Sequence, residues 1–526
     1  MRRLSRLAAA TAALAFAAPA FAQTLPTNDR VLRRIWDLGM EQSRTWDLAQ
    51  VLMDSIGPRL TGSPGHRAGN EWLARTYASW GIPARQEQYG TWKSWRRGVS
   101  HVDLVTPRVR SLEGTMLAYS PGTAGRPVTA PVVILPEVQD SAAFVRWLPA
   151  VKGKYVLVSM PQPTCRPDSA WAQWATPESF ATMRAQRDTA TQRWSARVAA
   201  TGYGLALGTG TLGKRLEEAG AAGVIASRWS AGWGVNKVFE TRNEKTPAID
   251  LSCEDYGLVF RLAEKGQNPT LRITAESQML GEQPVFNTVA EMKGTQKPGE
   301  YVVLSAHFDS WDAGSGATDN GTGTVVMMEA MRILKQVYPN PKRTILVGHW
   351  GGEEQGLNGS RAFSEDHPEV VKGLQALFNQ DNGTGRVVNI SSAGLVGAAG
   401  HWGNWLARLP QEISRHFTIS FPGAPNAGGS DNASFLCSGA PAFGLGSINF
   451  DYFTYTWHTN RDTFDKISFD DVRNNATLVA MLAYMASEDP EVMPREQRVM
   501  ALDRQGRPQS WPACGKALRK SSEYTR

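Results

Sequence analysis

The stretch Tyr301-Val302-Val303-Leu304-Ser305-Ala306-His307-Phe308-Asp309 decides how the chain is read. Six residues without a charge, rich in β-branched and aliphatic side chains, suit a strand buried on both faces of a sheet. His307 and Asp309 follow at its carboxyl end, where ligands gather in α/β sheets. Downstream the order continues as helix, strand, loop and strand. Thr324 to Val337 offers Val325, Met328, Ala330, Met331 and Leu334 at helical intervals, and Thr344 to Gly348 and Leu374 to Phe378 read as further strands. This alternation predicts an α/β fold with a mixed, mostly parallel sheet flanked by helices.

Each strand delivers a polar residue to the same edge. Asp319-Asn320-Gly321 lies in the glycine-rich loop before the helix, Glu353-Glu354 follows the strand after Gly351-Gly352, and Asp381 follows Phe378; His458 stands far downstream. Neutral imidazole and carboxylate oxygen suit zinc, and one carboxylate can bridge two ions. A free Glu beside a liganding Glu can carry a proton from water to a leaving amine. Asp309, two residues after His307, is placed to orient that imidazole. Taken singly, each piece has a plainer explanation: Asp-Asn-Gly is a turn signal, and a Glu pair suits a helix start. His349, inside a strand, reads as a packing residue.

Working upstream, Asn28 to Tyr77 is helical with a break at Ile56-Gly57-Pro58-Arg59 and Thr61-Gly62-Ser63-Pro64. His101 to Val105 and Thr115 to Tyr119 read as strands. Between about Pro127 and Leu271 the character changes: Val132 to Leu135, Lys154 to Val158 and Gly223 to Ala226 are short apolar strands, with a helix from Leu216 to Ala222. This block reads as an insertion, and its stretch from Trp171 to Trp194 as helix and loop. Most of the 18 Trp belong in cores.

Residues 1–22 carry Arg2, Arg3 and Arg6, an apolar run from Leu7 to Ala18, and Ala20-Phe21-Ala22, the pattern of a signal peptide cleaved before Gln23. The run is too short to span a bilayer, and no later stretch is long and apolar enough. The chain is therefore expected to be exported. Cleavage lowers the formal charge from +7 to about +4, and without a dense Lys/Arg run nothing favours nucleic acid. Cys165, Cys253, Cys437 and Cys514 can form one or two disulfides in an oxidising compartment, in any of three pairings.

The set His307-Phe308-Asp309, Gly316 to Gly323, Gly352 to Ser360, Asp381 and Trp457-His458-Thr459 resembles the co-catalytic zinc exopeptidases of the bacterial leucyl aminopeptidase type. The run Trp457 to Ile467 is most similar to the plasma glutamate carboxypeptidase branch. The resemblance implies a zinc aminopeptidase/phosphorylase-hydrolase-like fold and two Zn2+ ions. His307 and Asp381 would hold one, Glu354 and His458 the other, with Asp319 between them, Glu353 as general base and a cis Asp319–Asn320 peptide.

It further implies a smaller, β-rich protease-associated domain at 127–271, between an amino-terminal part (23–126) and a catalytic core (272–490) followed by a tail (491–526). Substrates would be peptides or dipeptides, and the branch implies a homodimer. Relatives carry Ser-Asp-His where this chain has Ser430-Asp431-Asn432, so no histidine role transfers there. A single-zinc glutaminyl cyclase and a metal-free receptor-like protein share the fold. The complete ligand set favours the peptidase, which would trim peptides as an aminopeptidase, dipeptidase or carboxypeptidase. A carboxypeptidase needs Arg or Lys for the substrate carboxylate, and Arg361, Arg386 and Arg461 lie near the motifs.

Overall fold

The computed structural model describes residues 27–204, 210–426 and 428–524, so the signal-peptide reading of residues 1–22 lies outside the described residues. The strand Lys297–His307 lies between Leu374–Asn379 and Arg343–Trp350, parallel to both. From Val302 to His307 it is buried on both faces, as its unbroken apolar run requires. The helix Thr322–Val337 packs on this sheet and against the helix Phe469–Glu488; it is buried from Thr322 to Leu334. Such parallel crossovers put the loops after His307, Trp350 and Asn379 at one sheet edge.

Two strands of 23 residues each, Ala84–Thr106 and Thr270–Met292, pair antiparallel along most of their length. At about 3.3 Å per residue this ribbon is roughly 75 Å long. One end of Thr270–Met292 pairs with Arg343–Trp350, and the other with Val128–Ile134. Among the described residues a 12-stranded mixed sheet therefore runs from the half that carries His307 into the block between the two strands. There Val128–Ile134, Tyr155–Leu157, Gly223–Ala226 and Ala248–Leu251 are parallel neighbours.

This block contains more helix than strand, including Pro177–Thr201 and Cys253–Glu264. The Trp-rich stretch forms the helix Asp168–Trp174 and most of Pro177–Thr201; Trp194 is buried and donates to the Val158 carbonyl, while Trp174 is exposed. The described residues form two hydrophobic cores, and the second includes Trp92, Trp95 and Leu104 of the ribbon.

The cysteines pair as Cys165–Cys253 and Cys437–Cys514. The first ties the segment just before the Trp-rich stretch to the helix Cys253–Glu264 of the same block. The second ties the carboxy-terminal tail to the half that carries His307. Among the described residues no helix is long and apolar enough to cross a membrane.

The break at Ser63-Pro64 becomes the start of the helix Pro64–Ser79: Ser63 accepts from the His66 amide, and Pro64 takes the first turn. This helix buries His66 and Tyr77, and the Tyr77 hydroxyl shares a 2.8 Å hydrogen bond with His349 Nε2. His349 is thus a packing residue. Burial lowers His349 to about 3 and His66 to about 4.

Both imidazoles stay neutral in the fold while the unfolded chain binds their protons below about pH 6.5, so the stability they contribute is present above pH 6.5 and lost as pH falls towards 4. Each supplies a slope of about 1.4 kcal/mol per pH unit in that window. The slope of urea-unfolding stability against pH between 4.5 and 6.5 is expected to be smaller in His349→Gln than in wild type by about 1.4 kcal/mol per pH unit; a slope unchanged by that substitution would refute it.

Candidate metal centre

The residues singled out in the sequence meet at one edge of the parallel strands. His307 ends its strand, and its Nε2 lies 3.2 Å from Asp381 Oδ1 and 3.4 Å from Asp319 Oδ1. His458 Nε2 lies 3.0 Å from Glu354 Oε2 and 3.2 Å from Asp319 Oδ2. The two oxygens of Asp319 thus face two different imidazole–carboxylate pairs. In each of the triads His307–Asp319–Asp381 and Asp319–Glu354–His458, one donor atom per residue falls within 4.8 Å of the others.

The buried oxygens Asp319 Oδ2 and Glu354 Oε1 have no hydrogen-bond donor. Buried carboxylate oxygens normally find a donor or a cation, so this donor set fits a pair of divalent ions. Glu353 and Glu354 sit in the turn after Trp350, and Glu353 lines the same cavity of about 520 Å³ as Asp319, Asp381 and His458.

The charge balance follows from this crowding. Burial pushes Glu353 well above the usual carboxylate range; the Asp381, Glu354 and Asp431 carboxylates add to it against His307. Burial also raises Glu354, to about 7, against the pull of His458. Burial would lower His458, but Glu354 and Asp319 outweigh it and bring the imidazole to about 9. Burial would raise Asp319 too, yet the adjoining His307 and His458 imidazoles hold it below its ordinary value. The cluster holds more anionic groups than its two histidines can neutralise, the condition under which a buried site draws cations.

Several supporting contacts were not legible in the sequence. Asp462 accepts from the Thr318 amide and hydroxyl at 2.7 and 2.8 Å and from the Asp319 amide at 3.0 Å. It fixes the loop in which the Asp319–Asn320 peptide is cis. Arg59, fully buried, donates to the carbonyls of Gly57, Phe308, Ser315 and Gly316 and so braces the backbone after His307; the sequence showed only a break there.

Asp309 acts more broadly than as a partner of His307. Its backbone carbonyl lies 3.0 Å from His307 Nδ1, while its carboxylate accepts from Thr61 Oγ1 and from the Glu353 and Glu354 amides at 2.9, 3.1 and 3.2 Å. Asp431 is buried close by, and burial raises it to about 7. Asn432, at the departure from the relatives' pattern, bonds to Asn426.

The block between the ribbon strands also reaches the centre: Phe239 packs edge-on to the His458 ring at 4.8 Å, and the Val238 amide donates to the His458 carbonyl. Of the three arginines, Arg386 pairs with Asp471 and Arg461 with Glu113, so only Arg361 lines the cavity.

A buried pair of imidazole–carboxylate clusters at the carboxyl edge of a parallel sheet defines a metal-dependent hydrolase. Residues 287–483 match the model of Peptidase family M28, and this likeness to co-catalytic zinc exopeptidases marks a zinc-dependent metallopeptidase.

Carboxypeptidase Q of Rattus norvegicus is 25% identical over 469 residues, covering 87% of this chain and 88% of that protein. Carboxypeptidase Q of Homo sapiens is 22% identical over 458 residues, covering 87% and 88%. In fold, a Peptidase M28 precursor from Shewanella amazonensis superposes with a TM-score of 0.63 at 23% identity, covering 88% of this chain and 98% of that one. A zinc aminopeptidase from Bacillus subtilis gives 0.54 at 19% identity, covering 86% and 96%.

Proposed function

We propose that this zinc exopeptidase works with two ions, one held by His307 and Asp381, the other by Glu354 and His458, with Asp319 shared. The observation that carries the reading is the placement of the two Asp319 oxygens against separate imidazole–carboxylate pairs. It favours two ions over the single zinc of a glutaminyl cyclase. Bound there, the pair would supply a lowered pKa for a water and polarise the scissile carbonyl.

Glu353 takes the proton of the attacking water and hands it to the departing amine. Asp309, through the Glu353 and Glu354 amides, holds the general base and its liganding neighbour in register. Asp462 and Arg59 keep the Asp319 loop and the strand end in place. The substrates are short peptides, and the protein acts outside the cytoplasm after cleavage at Ala22.

The test is zinc content and turnover of a dipeptide panel on purified mature chain. Two zinc ions per chain, with activity lost on chelation and regained with zinc, is the expected result. Full activity with one ion per chain, or none, overturns the reading.

A further inference from the structure

We propose that Arg361 receives the free α-carboxylate of the substrate, in a subsite that the carboxy-terminal tail completes; this rests on the two-ion reading above. Among the described residues lining the metal cavity, Arg361 is the one Lys or Arg. It lies on the helix Asn358–Asp366, eight residues beyond Glu353. A guanidinium there would ordinarily pair with an acid on its own helix, and Glu365 is in register to do so. That acid is already engaged: Arg519 of the tail pairs with both Glu365 and Asp366, at 3.0 and 2.8 Å. Among the described residues Arg361 is left with no ion pair.

The tail also confines the guanidinium. A Cβ on Gly515 would lie 2.7 Å from the Arg361 guanidinium carbon, so the backbone at Gly515 passes flush against it. The tail is held in that place by the Cys437–Cys514 disulfide, by the Leu518 amide on Asn358 Oδ1 at 2.9 Å and by the Thr91 amide on the Arg519 carbonyl at 2.8 Å. Its Tyr524 lies in the wall of the same cavity.

Charge then selects the ligand. The acids of the cavity, Asp319, Glu353, Glu354 and Asp381, balance two divalent ions, and Arg361 remains as an uncompensated cation in a partly desolvated wall. A substrate carboxylate neutralises it through a bidentate, charge-assisted contact. A substrate amine at that wall would set a second cation beside the Arg361 guanidinium. The chain therefore takes peptides whose free carboxylate lies close beyond the scissile bond.

The experiment compares dipeptides with their carboxy-terminal amides. In the wild type kcat/KM for the free acid exceeds that for the amide about 100-fold, equivalent to about 2.8 kcal/mol. Arg361→Met brings the ratio near 1, chiefly through KM, and Arg361→Lys restores part of it. Gly515→Val, which pushes the guanidinium aside while leaving it present, lowers the ratio about tenfold.

Calorimetric titration of the Glu353→Ala chain reads binding without turnover, and there the acid-over-amide preference disappears when Arg361→Met is added. A wild-type preference for amides, or a ratio unmoved by Arg361→Met, overturns the proposal and leaves the metal reading intact. Failure of zinc-loaded wild type to cleave either form overturns the metal reading and this one with it.

Discussion

Glu353→Ala is expected to lower kcat on any cleaved dipeptide by about 10³-fold or more, at the upper end of what a positioned general base contributes, while the zinc content stays at the wild-type value. The separation of the two effects comes from geometry. Glu354 is the member of the pair that meets His458 and belongs to a donor cluster, whereas Glu353 lines the cavity without belonging to either. The backbone that carries both is pinned by Asp309 through main-chain amides, so truncating the Glu353 side chain leaves those bonds in place. Glu353→Gln, which keeps the shape and loses the proton acceptor, should be nearly as inactive. Metal analysis beside steady-state kinetics checks this, and a parallel loss of zinc and activity would make Glu353 a ligand and refute its role as base.

The second large effect is expected at Asp319. On the proposed two-ion reading, replacing His458 removes one corner of one cluster, but Asp319→Ala takes an oxygen from both, so zinc should fall from two per chain to well below one. Activity should drop with it to background. The loop should survive the change, because Asp462 holds it through the Thr318 side chain and the main-chain amides of residues 318 and 319 rather than through the Asp319 carboxylate. Thermal unfolding in the presence of chelator should therefore be similar in variant and wild type, with the wild type alone stabilised by added zinc, as linkage requires of ligand binding to the native state. A variant that keeps one zinc at full occupancy would show that the two clusters do not depend on a shared carboxylate.

The catalytic sheet was legible because its strands are local facts. Tyr301 to Ala306, Thr344 to Gly348 and Leu374 to Phe378 are apolar runs that only a doubly covered sheet satisfies, and each ends next to a His or carboxylate. The long ribbon was not legible as two continuous strands. Gly90, Gly98, Gly281 and Pro284 look like breaks in sequence, yet the ladder passes through them with register shifts, among them one between Gln88 and Gly90. In the centre, His307, Glu353, Glu354 and Asp381 stand out because they follow strand ends and Asp319 because it lies in the loop before the helix, while His458 stands far downstream and is tied to them by its family motif.

The sequence by itself determined the α/β class and the order along the chain of the candidate His and carboxylate ligands, since burial pattern and residue chemistry act over a few neighbouring residues. Only the tertiary structure decided that Asp462 anchors the Asp319 loop, that Arg59 braces the strand end, that the cysteines pair as they do, and that Arg361 rather than Arg386 or Arg461 faces the cavity. Each of these depends on a partner far away in sequence: Asp462 on residues 318 and 319, Arg59 on the carbonyls after His307, and Arg361 on the tail that occupies its neighbouring acids. Local spacing constrains which element forms. Which distant side chain meets it is set by the packing of whole elements, and no short window of sequence contains that information.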